Sequence, residues 1–306
     1  MASTTVAQSN PIAPPTLKAS PGYFTESYLR FRRDRISMLA LAMFIVICIL
    51  SITAPLISEF VLHTNPTKQD LLLGKAPPSA VHWGGTDDFG RDALSRVLFA
   101  GQVSLAIGFA VAGLQMLIGV PTGLIAGFYH GKIDDVVNAI ILTRLGIPTF
   151  YLLILLSATF RGFVGTPWGL SIIFGILGWT GVARQVRGLV LSVKQRDFVD
   201  AAKVVGARDR RIMFRHLLPN IMYIILIIAG FDIVGAMLGE AGLSFLGLGI
   251  QPPTASWGNM LAGSLENFQD APWLVFLPGL FITITVLCIF VATDGLRDAL
   301  DPRLKE

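Results

Sequence analysis

Residues 99–128 have the sequence FAGQVSLAIGFAVAGLQMLIGVPTGLIAGF, a long run without a single charged side chain. A helix needs about 20 mainly apolar residues to cross the hydrocarbon core of a bilayer. This run is long enough, and a spanning strand is excluded because an isolated strand leaves its backbone groups unpaired in lipid. The sequence therefore predicts a membrane-spanning helix here.

Five further stretches have the same character, and together they predict an all-α integral membrane protein with about six spanning helices. The predicted spans are 36–60, 99–128, 136–160, 169–189, 217–246 and 274–295. The composition agrees, because only 14% of the residues are charged, against about 25% in soluble domains. Both cysteines lie in apolar runs and indicate neither a disulfide framework nor a metal site.

The segment before the first span is predicted to be a cytoplasmic tail, residues 1–35, followed by a transmembrane domain, residues 36–306. Residues 1–22 are rich in Pro, Ser, Thr and Ala, which predicts disorder. The basic and aromatic residues that follow are expected on the inner membrane surface, with a partner contact as the alternative. The first apolar run is too long, and too far from the start, for a signal peptide.

The distribution of basic residues orients the spans. With a cytoplasmic N-terminus, 18 of the 24 Lys and Arg residues lie inside, five lie outside, and Arg144 lies within a span. Short cytoplasmic loops carry an excess of Lys and Arg, so both termini are predicted to be cytoplasmic. The same placement favours lipid headgroups over nucleic acid as the partner of these charges.

Four glycines at four-residue intervals are expected on one face of the second span, where a neighbouring helix can approach closely. They are Gly119, Gly123, Gly127 and Gly131. Pro121 and Pro148 lie within predicted spans and are expected to kink them.

The inner loop at 190–216 carries a short predicted helix. Asp197 is a candidate N-cap, and Gly206 is expected to end the helix with a positive φ. Ala201 and Ala202 give it a face of small residues, which suits insertion into a groove of another protein. An ordinary amphipathic helix on the lipid surface is the alternative.

At this loop the chain resembles the ABC importer permeases of bacteria. Asp200-Ala-Ala-x-x-x-Gly206, followed by Leu218-Pro219, is similar to their EAA loop, which forms the coupling helix that docks on the ATPase subunit. Asp200 replaces the Glu of the motif, and His216 replaces an Ile. His216-Leu-Leu-Pro-Asn220 instead resembles the dipeptide, oligopeptide and nickel branch. The resemblance implies these coupling residues: Asp200, Ala201, Ala202, Gly206, Arg215, His216, Leu218 and Pro219.

Two outer segments extend the resemblance over nearly the whole chain from about residue 25, in the manner of the second permease of a pair. The residues concerned are Gly85, Thr86, Asp87, Gly90, Arg91 and Asp92 in the first outer loop, and Ser256, Trp257 and Gly258 in the last. From the residues alone, the first segment is equally consistent with a polar turn capped by its own aspartates. Asp87 and Asp92 are a carboxylate pair among glycines, in a motif without His or Cys, so no metal site is predicted.

The resemblance implies a permease subunit that is not itself an enzyme. No G-x-x-x-x-G-K-[ST] stretch is present to hold ATP phosphates, so ATP and Mg²⁺ are expected at two partner ATPase subunits, with no cofactor in this chain. A paralogous permease and an extracytoplasmic solute-binding protein are the other expected partners, in a bacterial or archaeal plasma membrane. Dipeptides or short oligopeptides are the favoured solutes, before nickel chelates, glutathione or oligosaccharides.

Three charged residues lie within predicted spans: Arg144, Asp232 and Glu240. Such residues are costly in lipid and face protein or water. The two carboxylates are eight residues apart and share roughly one helix face, where they could line the translocation pathway. Pairing with Arg144, or with the partner permease, is the favoured interpretation.

The sequence disfavours two other classes of membrane protein. An ion-coupled secondary transporter usually carries internal repeats with paired broken helices, and no convincing repeat is present. A membrane enzyme would need a catalytic or metal-binding constellation, and the spans carry none.

Overall fold

The computed structural model describes residues 23–129, 131–262 and 264–300. The predicted disordered tail, 1–22, lies outside these residues. Over the described residues the chain is helical, apart from loops and one isolated bridge between Thr86 and Asp92. The α-helices are α1 (Tyr23–Arg33), α2 (Arg35–Ile52), α3 (Ala54–Phe60), α4 (Ala93–Phe128), α5 (Lys132–Leu145), α6 (Thr149–Thr159), α7 (Arg161–Val164), α8 (Pro167–Val193), α9 (Asp197–Val204), α10 (Asp209–Arg211), α11 (Leu218–Phe245), α12 (Trp257–Met260), α13 (Ser264–Asn267) and α14 (Trp273–Leu300), with a π-helical segment, Ile212–Leu217, before α11.

Five of the described helical stretches are long and apolar enough to cross a membrane. They are α2, α4, α8, α14 and the continuous helix Asp209–Phe245. The pair α5 and α6 makes a sixth crossing if it acts as one broken span. The predicted all-α membrane fold is therefore confirmed.

The first predicted span, 36–60, is two helices instead of one. α2 begins after Asp34, which accepts a hydrogen bond from the Ile36 amide at 3.1 Å, and it ends before Thr53. Pro55 follows in the first turn of α3. A proline lacks the amide proton that would continue the hydrogen-bond ladder, so an uninterrupted helix is disfavoured here.

The third predicted span, 136–160, is also interrupted. α5 and α6 meet at 76°, with the break at Gly146, Ile147 and Pro148. This confirms the predicted kink at Pro148. Pro121 behaves differently, because it lies inside α4, which continues to Phe128 without a break.

The glycines of α4 create its closest packing. A Cβ on Gly119, Gly123 or Gly127 would lie 2.5–2.7 Å from atoms of α8, so α8 lies directly against the α4 backbone. The fourth glycine of the predicted series is an exception. Gly131 lies beyond the end of α4, at the N-cap of α5, with φ +78°, and nothing lies within 4 Å of the Cβ position.

Charged side chains join the C-terminal ends of α4 and α8 to each other and to α5. Lys194, which follows α8, donates from Nζ to the Phe128 carbonyl at 2.6 Å and so caps α4. Burial lowers the pKa of Lys194. Arg187 on α8 binds Asp134 on α5 through two hydrogen bonds, of 2.6 and 2.8 Å.

The π-helical segment has a local cause. Pro219 cannot donate to the carbonyl four residues earlier, and its ring crowds that carbonyl. Wider winding just before the proline relieves the crowding. Asn220 donates its side-chain amide to the His216 carbonyl at 2.6 Å, which satisfies a backbone acceptor at this junction.

Candidate docking helix and outer loops

The short helix α9 lies in the loop that resembles the ATPase-docking loop. It begins at Asp197, and its N-cap is Arg196, without a side-chain capping bond. The prediction that Asp197 caps the helix is therefore wrong by one position. An aspartate inside the first turn still favours the helix through the helix dipole.

The end of α9 agrees with the prediction for Gly206. This residue has φ +78°, and its amide donates to the Lys203 carbonyl at 2.9 Å. The Ala207 amide donates to the Ala202 carbonyl at 3.0 Å. This pair of bonds is the Schellman motif, in which a left-handed residue turns the chain sharply away from a helix.

One face of α9 packs against the protein. Val199 is fully buried in a cluster with Ile212, Met213 and Leu217, and Ala202 packs partly against the same cluster. These contacts join the short helix to the π-helical segment and to α8.

The opposite face of α9 is exposed. Val204 and Val205 are 88% and 87% exposed, and Ala201 is exposed beside them. Asp200 forms an exposed ion pair with Lys203 at 2.9 Å. Sequence reasoning placed both alanines on the docking face and overlooked the two valines, although an apolar pair just before Gly206 was visible. Ala202 is half-buried and packs partly against the cluster, so Ala201 is the more exposed of the two alanines.

The remaining predicted coupling residues lie at the start of the long helix that contains α11. Arg215 and Pro219 are exposed, while His216 and Leu218 are half-buried. They share this junction with the π-helical segment. They therefore lie close to the contact between Val199 of α9 and the π-helical segment.

The first outer-loop motif folds on itself. Asp87 Oδ1 accepts hydrogen bonds from the amides of Phe89 and Arg91, at 2.9 and 3.0 Å. Its Oδ2 binds Arg91 Nε at 2.8 Å and lies 3.4 Å from Arg96 Nε. Gly85 and Gly90 both have positive φ. The polar-turn interpretation therefore describes the local role of these residues.

The rest of the motif joins the turn to spanning helices. Asp92 caps α4 by accepting from the Ser95 amide at 2.7 Å, and its other oxygen lies 3.0 Å from His82 Nδ1. Thr86 accepts through its carbonyl from Trp273 Nε1 at 3.1 Å. The turn thus fixes the outer ends of α4 and α14 relative to each other.

Glu240 is the centre of a buried network at the last outer loop. Three serine hydroxyls donate to its carboxylate: Ser256 at 2.6 Å, Ser244 at 2.7 Å and Ser104 at 3.3 Å. Glu240 is only 1% exposed, and burial of a carboxylate is tolerated when several hydrogen bonds satisfy it.

Each of these serines also holds a backbone amide of the loop. The amides of Asn259, Ile250 and Trp257 donate to the hydroxyl oxygens of Ser256, Ser244 and Ser104, at 3.1, 3.1 and 3.0 Å. The Trp257 ring donates in addition to the Val97 carbonyl at 2.9 Å. The predicted motif Ser256-Trp257-Gly258 therefore packs α12 onto α4 and α11.

The three charges predicted within spans do not pair with one another. Arg144 donates to the Ile147 carbonyl and to Thr149 Oγ1, both at 3.2 Å, across the break between α5 and α6. Asp232 is half-buried on α11, and its Oδ2 has no hydrogen-bond partner among the described residues. No ion pair among the described residues joins Arg144 to either carboxylate, so the predicted pairing with Arg144 is absent there. A place in the translocation pathway, or pairing with the partner permease, stays a prediction.

Among the described residues, no three His, Cys, Asp or Glu side chains lie close enough to hold a metal ion together.

Comparison with known families matches two parts of the chain. Residues 119–306 match the family described as binding-protein-dependent transport system inner membrane component. Residues 22–78 match the N-terminal TM domain of oligopeptide transport permease C.

Curated relatives match over almost the full length. The oligopeptide transport system permease protein OppC of Bacillus subtilis is 39% identical over 292 residues, which cover 94% of this chain and 92% of that protein. The dipeptide transport system permease protein DppC of the same organism is 36% identical over 290 residues, covering 94% and 88%.

Among solved structures, the MetNI methionine ABC transporter in an inward-facing conformation has a similar fold. It aligns with a TM-score of 0.55 and 18% identity, over 67% of this chain and 96% of that chain. The family match covers more than half of the chain, and the helical architecture agrees with it. This chain belongs to the binding-protein-dependent transport system inner membrane components, the multi-pass permease components of ABC importers.

Proposed function

We propose that the chain is one permease subunit of an importer that moves dipeptides or short oligopeptides, delivered by an extracytoplasmic solute-binding protein. The similar proteins named as oligopeptide and dipeptide permeases support this solute class. Nickel chelates, glutathione or another small solute would be carried by the same machinery and are the alternative.

The proposed partners follow from the type of transporter. Two cytoplasmic ATPase subunits bind ATP and Mg²⁺ and hydrolyse the nucleotide, so this chain needs no cofactor of its own. A paralogous permease completes the membrane domain. Both termini lie in the cytoplasm, which the excess of Lys and Arg in the inner loops supports.

The observation that carries the proposal is the two-sided character of α9. Its inner face is packed through Val199, while Val204 and Val205 project outward almost fully exposed. Two adjacent and almost fully exposed valines form an apolar surface that a protein contact would cover. A groove on an ATPase subunit would cover these valines, and closure of the ATPases would then move α9 together with α8 and α11.

The experiment compares valines on the two sides of the membrane. The double variant Val204→Asp/Val205→Asp places charges where an apolar groove is expected, and Val81→Asp changes a valine in the outer loop that is 69% exposed. We expect the double variant to lose bound ATPase subunits and uptake of a labelled dipeptide. The Val81→Asp variant should retain both.

A second pair of variants separates docking from folding. Ala201→Arg changes the exposed face of α9, and Ala202→Arg changes the face that packs against the buried cluster. Ala201→Arg should leave expression intact and weaken ATPase binding, whereas Ala202→Arg should lower the yield of folded protein. Normal ATPase stoichiometry and normal uptake in both the valine double variant and Ala201→Arg would refute docking through α9.

A further inference from the structure

A concave, strongly basic surface lies at the cytoplasmic start of the long helix that contains α11. This surface, here called the arginine groove, is a shallow depression of about 510 Å³. It is lined by Arg208, Arg210, Arg211, Phe214, Arg215 and Pro219. The lining therefore combines four arginines with one aromatic ring and one proline.

The arginines of the groove have no carboxylate partner within the described residues, since no ion pair of that part of the chain includes them. By contrast, Arg187 is neutralised by Asp134 and Arg30 by Glu26. Arg211 and Arg215 lie one helical turn apart, where like charges repel. An anion bound between them would relieve that repulsion.

An exposed apolar stripe leads from the groove into the membrane. Pro219, Met222 and Leu226 are spaced three and four residues apart, which places them on one face of α11. Met222 is 39% exposed and Leu226 is 52% exposed. From Pro219 to Leu226 the helix rises about 10 Å, at 1.5 Å for each residue. The stripe begins next to the arginines and covers about two thirds of the roughly 15 Å depth of one leaflet.

We propose that the arginine groove binds an anionic phospholipid of the cytoplasmic leaflet. The headgroup phosphate accepts hydrogen bonds from the guanidinium groups, which suit phosphate because they donate in a planar fork. One acyl chain lies over Phe214 and along Pro219, Met222 and Leu226. The combination favours a lipid over an acidic protein surface, because an acidic protein in the cytoplasm would leave the apolar stripe uncovered.

The lipid site goes beyond the proposed transport function. It rests only on the cytoplasmic placement of loop 190–216, which a topology measurement tests separately. Because the groove directly adjoins the contacts between α9 and the π-helical segment, a bound lipid would also stiffen the junction that joins α9 to α11.

The test uses the purified importer complex with its partner subunits. Native mass spectrometry counts the lipids retained when phosphatidylglycerol or phosphatidylcholine is added to the detergent-solubilised complex. The variant Arg211→Gln/Arg215→Gln removes two charges from the groove. Arg297→Gln is the matched control, because Arg297 is an exposed arginine near the end of another spanning helix, α14.

We expect the double variant to bind phosphatidylglycerol at least about tenfold more weakly, from the loss of two basic residues at a membrane surface. Binding of phosphatidylcholine should be unchanged, and the Arg297→Gln variant should behave like the wild type. Equal retention of phosphatidylglycerol by the double variant would overturn the proposal. Loss of ATPase or permease subunits in both lipids would overturn it too, because the groove would then be a protein interface.

A measurement on the unaltered complex tests the proposal even if the double variant does not fold. A photoactivatable phosphatidylglycerol should cross-link to the segment 212–226, and excess phosphatidylglycerol should compete where phosphatidylcholine does not. Cross-linking spread evenly over the spanning helices, or competition by both lipids alike, would show that no selective site exists.

Discussion

The hydroxyl of Ser256 donates to Glu240 Oε1 at 2.6 Å and so joins the last outer loop to the interior of α11. Ser256 is fully buried and Glu240 almost so. Both carboxyl oxygens of Glu240 lie within hydrogen-bond distance of serine hydroxyls, and each of these serines also accepts a backbone amide of the loop. The network therefore depends on two oxygen atoms at this position.

Glu240→Gln is expected to loosen the last outer loop. The amide nitrogen would place a donor where a carboxyl oxygen now accepts from a serine hydroxyl, and a buried hydroxyl left without its acceptor costs about 1–3 kcal/mol. The apparent melting temperature of the purified permease should fall by several degrees, and proteolysis within 246–256 should become faster. Glu266→Gln, at an exposed position, is the control. Unchanged melting and proteolysis of the Glu240 variant would show that the network does not hold the loop.

Gly123→Leu is expected to separate α4 from α8 and to impair assembly. Even the Cβ of alanine at this position would lie 2.5 Å from the Ala183 carbonyl oxygen. Gly113→Ala, in the same helix, is the matched control, because nothing lies within 4 Å of its Cβ position. We expect the control to be neutral or slightly stabilising, by up to about 1 kcal/mol, from helix propensity. Yield of the assembled complex and its uptake rate are the measurements, and normal assembly of Gly123→Leu would show that this contact is not required.

Gly206→Val is expected to uncouple transport without preventing membrane insertion. Space is not the obstacle, since nothing lies within 4 Å of the Cβ position. The obstacle is the backbone, because φ +78° costs a side-chain-bearing residue about 1–2 kcal/mol and a branched one more. Gly206→Asn should be tolerated better, since asparagine adopts this conformation more readily. The measurements are substrate-stimulated ATP hydrolysis and dipeptide uptake. Wild-type values of both in the Gly206→Val variant would mean that the turn after α9 is unimportant.

Topology provides a test of orientation. A reporter fused after Glu306 should be cytoplasmic, and tags near Lys75 and Gln269 should be external, because of the excess of basic residues in the inner loops. The Lys75 ammonium donates to the Asn267 side chain at 2.7 Å, so these two loops must lie on one side. Accessibility to a membrane-impermeant reagent is the measurement. An external C-terminus would contradict the six-span arrangement.

The fold was largely predictable because apolar length alone identifies spanning helices. The positions at which the helices are interrupted were harder to predict. Pro55, Pro121 and Pro148 all lie within apolar runs, but only Pro55 and Pro148 accompany an interruption. Whether a proline breaks a helix depends on neighbours that can satisfy the freed carbonyl, and those neighbours are set by tertiary packing.

The candidate site was predictable where backbone conformation decides it and less so where orientation does. Gly206 was identified because a helix commonly ends in a left-handed glycine. The half-buried position of Ala202 could not be predicted, because two adjacent alanines give no indication of which one faces the core. The partners of Glu240 were also inaccessible, since Ser104 is 136 residues away in the sequence.

The long helix α4 has a mechanical consequence. Its 36 residues span about 54 Å, and the helix is held at one end by Asp92 and at the other by Lys194, three residues before α9. A hydrogen-bonded helix changes little in length along its axis, so a displacement of the end held by Lys194 would also move the turn that contains Asp92. The turn around Asp87 and the loop before α9 are therefore mechanically linked through one helix.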